Sequence, residues 1–149
     1  VRGQSPYLTP EFFRELGRKL PKQVLFFVAY REQEPVAMAF MLRDHDTLYG
    51  RHWGCLQDYH SLHFETCYYA GIEYCIRHGL RRFDAGAQGE HKIRRGFEPM
   101  ATYSAHFLLH PGLRTAVEDF VQREGEMVAN YHANLRTQCA FPDAAEASL

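Results

Sequence analysis

A short apolar stretch, Arg82-Phe83-Asp84-Ala85, runs into Gly86-Ala87-Gln88-Gly89 and then into Glu90-His91-Lys92-Ile93-Arg94-Arg95-Gly96-Phe97. Glycine lets a backbone approach a ligand closely, because no Cβ stands in the way. Lys92, Arg94 and Arg95, grouped just beyond such a turn, can hold phosphate or carboxylate. Glu90 and His91 add an acid and an imidazole beside them. A core would not select this mixture, so the stretch reads as a site.

Glu65 is a second candidate. It follows Phe64 on a mostly apolar helical stretch, flanked by His63, Tyr68 and Tyr69. A carboxylate there is costly to bury unless paired, and Arg51, Lys92 or a substrate amine would each satisfy it. Metal chemistry is poorly supported: His60 and His63 with Cys67 make one pair of spacings, whereas structural zinc takes four ligands in recognisable pairs. No metal is expected. Cys55 beside His52 is an equally weak thiol nucleophile.

The elements that must carry these residues follow from periodicity. Thr9-Pro10-Glu11 is a helix start, with Thr as N-cap and Pro at the first helical position, and Phe12, Phe13, Leu16 and Leu20 make a stripe that stops at Pro21. Residues 24–30 and 36–42 are rich in β-branched and aromatic side chains, with the polar turn 31–35 between them. They read as a hairpin, apolar on both faces and therefore central in a covered sheet. A turn at Asp44-His45-Asp46 leads to a third strand over 47–52, and Trp53-Gly54-Cys55-Leu56 opens a loop.

A helix is expected over 61–78, with Phe64, Tyr68, Ile72, Cys75 and Ile76 at helical spacing and Gly79 as its stop. Residues 82–87 give a fourth strand and 102–109 a fifth. His110-Pro111-Gly112 begins a long last helix with Val117, Phe120, Val121, Met127 or Val128, Tyr131 and Leu135 on one face. A strand–helix–strand step implies a parallel neighbour and a crossover. The fold class is therefore α/β, a mixed sheet flanked by helices on both sides. One domain over residues 1–139 is expected, with 140–149 as a frayed tail.

Composition agrees with a globular domain. Of 149 residues, 46% are hydrophobic and 23% charged, which excludes general disorder. A formal charge of −1 argues against bulk attachment to nucleic acid or membrane. No apolar run is long enough to span a bilayer and no signal peptide is visible. Four cysteines without a C-x-x-C pair are read as reduced thiols, which makes the cytoplasm the expected location.

The order of elements and the residues at their loops resemble the acetyltransferase-like (GNAT) fold, and more closely the FemAB-like predicted N-acyltransferases, relatives of the Fem peptidyltransferases of peptidoglycan synthesis. The likeness is carried by Tyr49-Gly50-Arg51-His52-Trp53-Gly54, by residues 62–69 and 71–75, by Gly86-Ala87-Gln88-Gly89-Glu90-His91-Lys92, by Arg95-Gly96-Phe97-Glu98-Pro99 and by Thr102-Tyr103-Ser104-Ala105-His106. It covers roughly residues 10–135.

The resemblance implies an acyl transfer to an amine. The donor would be aminoacyl-tRNA or acyl-coenzyme A. The acceptor would be an amine substrate, and the partner an N-terminal acetyltransferase-like domain, this chain corresponding to the second of two. Glu65, Glu90, His91 and Lys92 are then the catalytic candidates, with Glu90 or His91 taking the proton and Lys92 or Gln88 facing the oxyanion. Arg51, His52, Trp53, Tyr69, Gln88, Arg94 and Arg95 are the substrate-binding candidates. In ordinary acetyltransferases the loop at Arg51-His52-Trp53-Gly54-Cys55-Leu56 binds the coenzyme A pyrophosphate. Leu56 stands where those enzymes keep a small residue. Trp53 equally suits a core anchor.

Overall fold

Helix α1 (Pro10–Lys19) begins where the capping signals place it. Thr9 stays extended, and its hydroxyl accepts the Phe12 N–H at 3.2 Å, with Pro10 in the first turn. This computed structural model describes residues 7–87 and 89–141. It forms two compact units, residues 1–87 and 88–149.

In the first unit, β1 (Val24–Arg31), β2 (Glu34–Arg43), β3 (Thr47–Cys55) and β4 (Arg82–Asp84) form one sheet in that order. The first three are antiparallel neighbours, and β4 lies parallel to β3. Phe26 pairs with Phe40 and Phe27 with Ala39, so the two pairs point to opposite faces. Phe13 of α1 meets Phe40 edge-on at 5.7 Å on one face. On the other, Tyr74 meets Phe27 edge-on, also at 5.7 Å. Helices thus cover both sides of a mixed sheet, the expected α/β architecture.

The second layer is a continuous helical run of three parts: α2 (Leu62–Phe64), a π-helical turn (Glu65–Tyr69) and α3 (Ala70–His78). Gly79, at φ 65°, ends it in the left-handed conformation glycine accepts without strain. The run is the crossover between parallel strands β3 and β4. Ala39, Met41, Leu48 and Cys75 make the buried core beneath it, with Trp53, Cys67, Tyr74 and Phe83 packed around. All four cysteines are free thiols.

Three expectations are corrected. The hairpin is not central as a whole: β2 is internal, but β1 is the outer strand among the described residues, and its Phe26, Val28 and Tyr30 are exposed. Trp53-Gly54-Cys55 is strand rather than loop, because the ten-residue β2 offers ladder partners as far as Ala37, which pairs with Cys55. Residues 102–109 form no strand. Alternation makes a segment fit for a sheet, but a strand exists only where a neighbouring ladder receives it, and β4 itself stops at Asp84.

In the second unit, Glu90–Arg95 is a 3₁₀ helix closed by Gly96 at φ 87°. Helix α4 (Pro111–Arg136) follows, its first turn capped by His110 Nδ1, which accepts the Leu113 N–H at 3.2 Å. The expected apolar stripe is present, although only Val117 and Leu135 of it are half-buried. Gln88 and residues 142–149, most of the expected tail, lie outside the described residues. No helix among the described residues is long and apolar enough to cross a membrane.

Candidate functional site

The parallel ladder between β3 and β4 is three residue pairs long and ends at Tyr49–Asp84. Beyond it β3 runs on to Cys55 without β4 beside it. Sheets of this kind bind ligands at the carboxyl ends of their parallel strands. At that end, antiparallel pairing brings the end of β1 and the start of β2 alongside the end of β3.

A cleft of about 610 Å³ opens there, lined chiefly by Tyr30, Arg31, Tyr59, His60, Glu65 and Tyr69. The volume lies in the range of small-molecule sites. Two of the sequence candidates, Glu65 and Tyr69, are brought together in it. They bound the π-helical turn, in which the Ala70 N–H reaches back five residues to the Glu65 carbonyl. Such turns insert one residue into an α-helix and occur often at functional sites.

One strained backbone position lies in the cleft and two more follow one of its lining residues. Among the described residues, three that are not glycine have positive φ: Glu32 (50°), Gln33 (76°) and Ser61 (62°). Ser61 lines the cleft, and Glu32 and Gln33 make the turn directly after Arg31. Ser61 turns the incoming loop into the helix, its carbonyl accepting the N–H groups of Phe64 and Glu65 at 3.0 and 3.2 Å. Backbone strain of this kind costs about 1–3 kcal/mol per residue and concentrates at ligand sites.

The charged groups of the cleft are uncommitted. Among the described residues the Glu65 carboxylate and the Arg31 guanidinium have no hydrogen-bond or ion-pair partner, and they do not pair with each other. Glu65 is exposed to the cleft rather than buried on an apolar face. Tyr59 donates to Gln57 Oε1 at 3.2 Å, and His60 Nδ1 lies 3.0 Å from the Ser61 hydroxyl.

Arg51, His52 and Trp53, in the same unit, do not line the cleft. Arg51 lies over the Tyr49 ring at 5.6 Å. His52 stacks on Phe40 at 6.0 Å, on the α1 face of the sheet, and Trp53 points to the opposite face, edge-on to His63 at 5.4 Å. Trp53 is therefore also a packing residue of the core. In the second unit, Glu90 accepts a 2.7 Å hydrogen bond from Tyr131, and that bond holds the Tyr131 hydroxyl above its ordinary pKa. The His91 carbonyl accepts Arg95 Nη1 at 2.7 Å, and the Lys92 N–H donates to the Gly89 carbonyl at 3.0 Å. Arg94 is exposed.

Sequence reasoning missed Tyr30, Arg31, Tyr59 and His60 as site residues. Tyr30 read as the end of a hairpin strand and Arg31 as the start of the polar turn after it, and His60 was weighed only as a metal ligand. The available signal was the run Tyr59-His60-Ser61, a polar-aromatic entry into an apolar helix.

Compared with known proteins, the chain matches the FemAB-like family model, described as peptidoglycan biosynthesis/recognition, over residues 1–143. No curated protein and no solved structure matches it.

Proposed function

Starting from the fact that the chain belongs to the FemAB-like family, we propose that it is an N-acyltransferase unit whose acceptor amine is held in the cleft by Glu65. One observation carries the proposal: an uncommitted carboxylate shares a cleft with three tyrosines at the carboxyl end of the sheet. Aromatic faces and a carboxylate together favour a cation, so an alkylammonium is the group this cleft holds best.

The chemistry follows from that placement. An ammonium attacks only after losing a proton, and the Glu65 carboxylate in the cleft, with the His60 imidazole in the same lining, can take it. The amine nitrogen then bonds to the acyl carbon, the bond from that carbon to the donor oxygen or sulfur breaks, and the leaving group departs with the electron pair. Much of the acceleration would come from holding the two reactants together. Glu90 and His91 remain candidate proton acceptors by residue type, and Lys92 a candidate partner for the oxyanion. The donor is aminoacyl-tRNA or an acyl thioester such as acyl-coenzyme A, and an N-terminal domain of the same fold is the proposed partner.

The test is amide formation by the full-length protein, read by mass spectrometry with each donor class and a primary amine. Glu65→Gln is expected to lower turnover by about 100-fold or more while the far-ultraviolet spectrum stays unchanged, in line with loss of a general base. Unchanged turnover in that variant would remove Glu65 from the reaction. Acetyl-coenzyme A binding by calorimetry separates the two donors.

A further inference from the structure

Resting on the reading of Glu65 as the amine-holding group, we infer that Arg31 selects acceptors that carry a carboxylate as well as the amine. The acceptor is then a zwitterion of amino-acid or short-peptide chemistry, and not a simple amine or a polyamine.

Arg31 is the last residue of β1 and lines the same cleft as Glu65. Glu32 follows it in the turn and Glu34 faces it at the start of β2, but neither forms an ion pair with Arg31, and among the described residues no other side chain does. Its guanidinium and the Glu65 carboxylate are held on separate elements, one on the outer strand and one on the π-helical turn. Two opposite charges that share a cleft without neutralising each other match a ligand whose own charges are set apart. The 610 Å³ of the cleft is on the scale of a small-molecule ligand such as an amino acid or short peptide.

The anion is a carboxylate. Arg31 presents one planar fork, which fits a carboxylate in two parallel hydrogen bonds and balances a single charge. A phosphate dianion would call for a second cation, and the only other basic side chain in the lining, His60, has Nδ1 turned to Ser61. Tyr30, Tyr59 and Tyr69 supply ring surface for the aliphatic stem between the charges.

Lysine and cadaverine test this cleanly, since the second is the first without its carboxylate. Each is titrated into the 149-residue chain, following the amide resonances of Ser61, Leu62 and Arg31 by nuclear magnetic resonance. Lysine is expected to bind about tenfold more tightly than cadaverine, the effect of one charge-assisted contact. Arg31→Gln should abolish that ratio by weakening lysine and not cadaverine; Arg31→Lys should restore only part of it. Glu65→Gln should weaken both ligands. An unchanged lysine-to-cadaverine ratio in Arg31→Gln, with both still weakened by Glu65→Gln, overturns the role of Arg31 alone. If neither ligand moves the cleft resonances, the amine site and this inference fall together.

Discussion

Helix α3 and strand β4 meet without space between Gly71 and Phe83: a Cβ built on Gly71 would lie 2.5 Å from Phe83 Cε1 and 2.6 Å from Cζ. Alanine at this helical position would gain about 1 kcal/mol of helix propensity. Forcing a methyl into the Phe83 ring, which packs on the buried core, costs about 1–3 kcal/mol. The second effect wins. Gly71→Ala is expected to lower the urea midpoint, and Gly71→Ala combined with Phe83→Leu should recover part of the loss, a non-additivity that independent sites do not show.

The β1–β2 turn offers the opposite sign. Glu32 and Gln33 both sit at positive φ, the conformation of a two-residue turn that normally takes Asn-Gly. Gln33, at φ 76°, carries a Cβ penalty that glycine does not. Gln33→Gly is expected to stabilise the unit by about 1 kcal/mol, less the extra chain entropy of glycine in the unfolded state. A chemical denaturation curve with an unchanged slope and a higher midpoint is the expected record. A lower midpoint would mean that the side chain of Gln33 contributes a contact worth more than the strain.

Asp44 ties the β2–β3 turn. Its Oδ1 accepts the N–H groups of Asp46 and Thr47 at 3.0 and 2.8 Å, and its Oδ2 accepts the Tyr49 hydroxyl at 2.8 Å. These bonds, the Asp46 N–H first and the Tyr49 hydroxyl next, hold its pKa down at about 2. A depressed carboxylate contributes stability that is present above its unfolded pKa and lost as pH falls through the folded value. Asp44→Ala should therefore melt below wild type at neutral pH, with the gap closing between pH about 4 and about 2. A gap that stays constant through this range would show that the turn does not depend on the ionised carboxylate. The neighbouring His45 and Asp46 bring ligand atoms within 4.8 Å of one another, but Asp44 is already engaged with N–H and O–H donors.

What the sequence showed and what it hid divide along one physical line. Local signals were legible: Thr9 and Pro10 at the start of α1, His110 and Pro111 at α4, and Gly79 as a stop all act within one turn of backbone. The crossover to β4 was legible because a parallel step requires it. The π-helical turn was not, since one extra residue leaves the spacing of Phe64, Tyr68 and Ile72 helical to the eye. Pro35 misled, reading as part of the turn although it lies in β2 opposite Tyr30, at the register shift that tolerates it. The cleft depended on non-local pairing: only the β1–β2 and β2–β3 registers bring Arg31 to the helix entry at Ser61. Glu65 was singled out as a carboxylate on an apolar helix, and both it and Tyr69 by their place in the stretch that carries the family resemblance.

The Tyr131–Glu90 hydrogen bond spans 41 residues and ties the 3₁₀ helix to α4. One turn face does more than this, since the adjacent His132 Nε2 lies 2.9 Å from the Pro99 carbonyl, so consecutive α4 residues grip both ends of the segment from Glu90 to Pro99. The bond raises the Tyr131 pKa, first through the hydrogen bond to Glu90 and then through burial. A raised folded-state pKa means that its contribution is present below the unfolded value, near 10, and fades as pH rises through the folded one. In a nuclear magnetic resonance titration of the tyrosine ring carbons, Tyr131 should ionise late, and Glu90→Gln should bring it back toward the ordinary range. Tyr131→Phe should leave Glu90 in place but less constrained. If Glu90 takes the amine proton, that variant should change the pH profile of turnover, whereas a tether that only holds the segment together would lower the melting temperature and leave the profile unmoved.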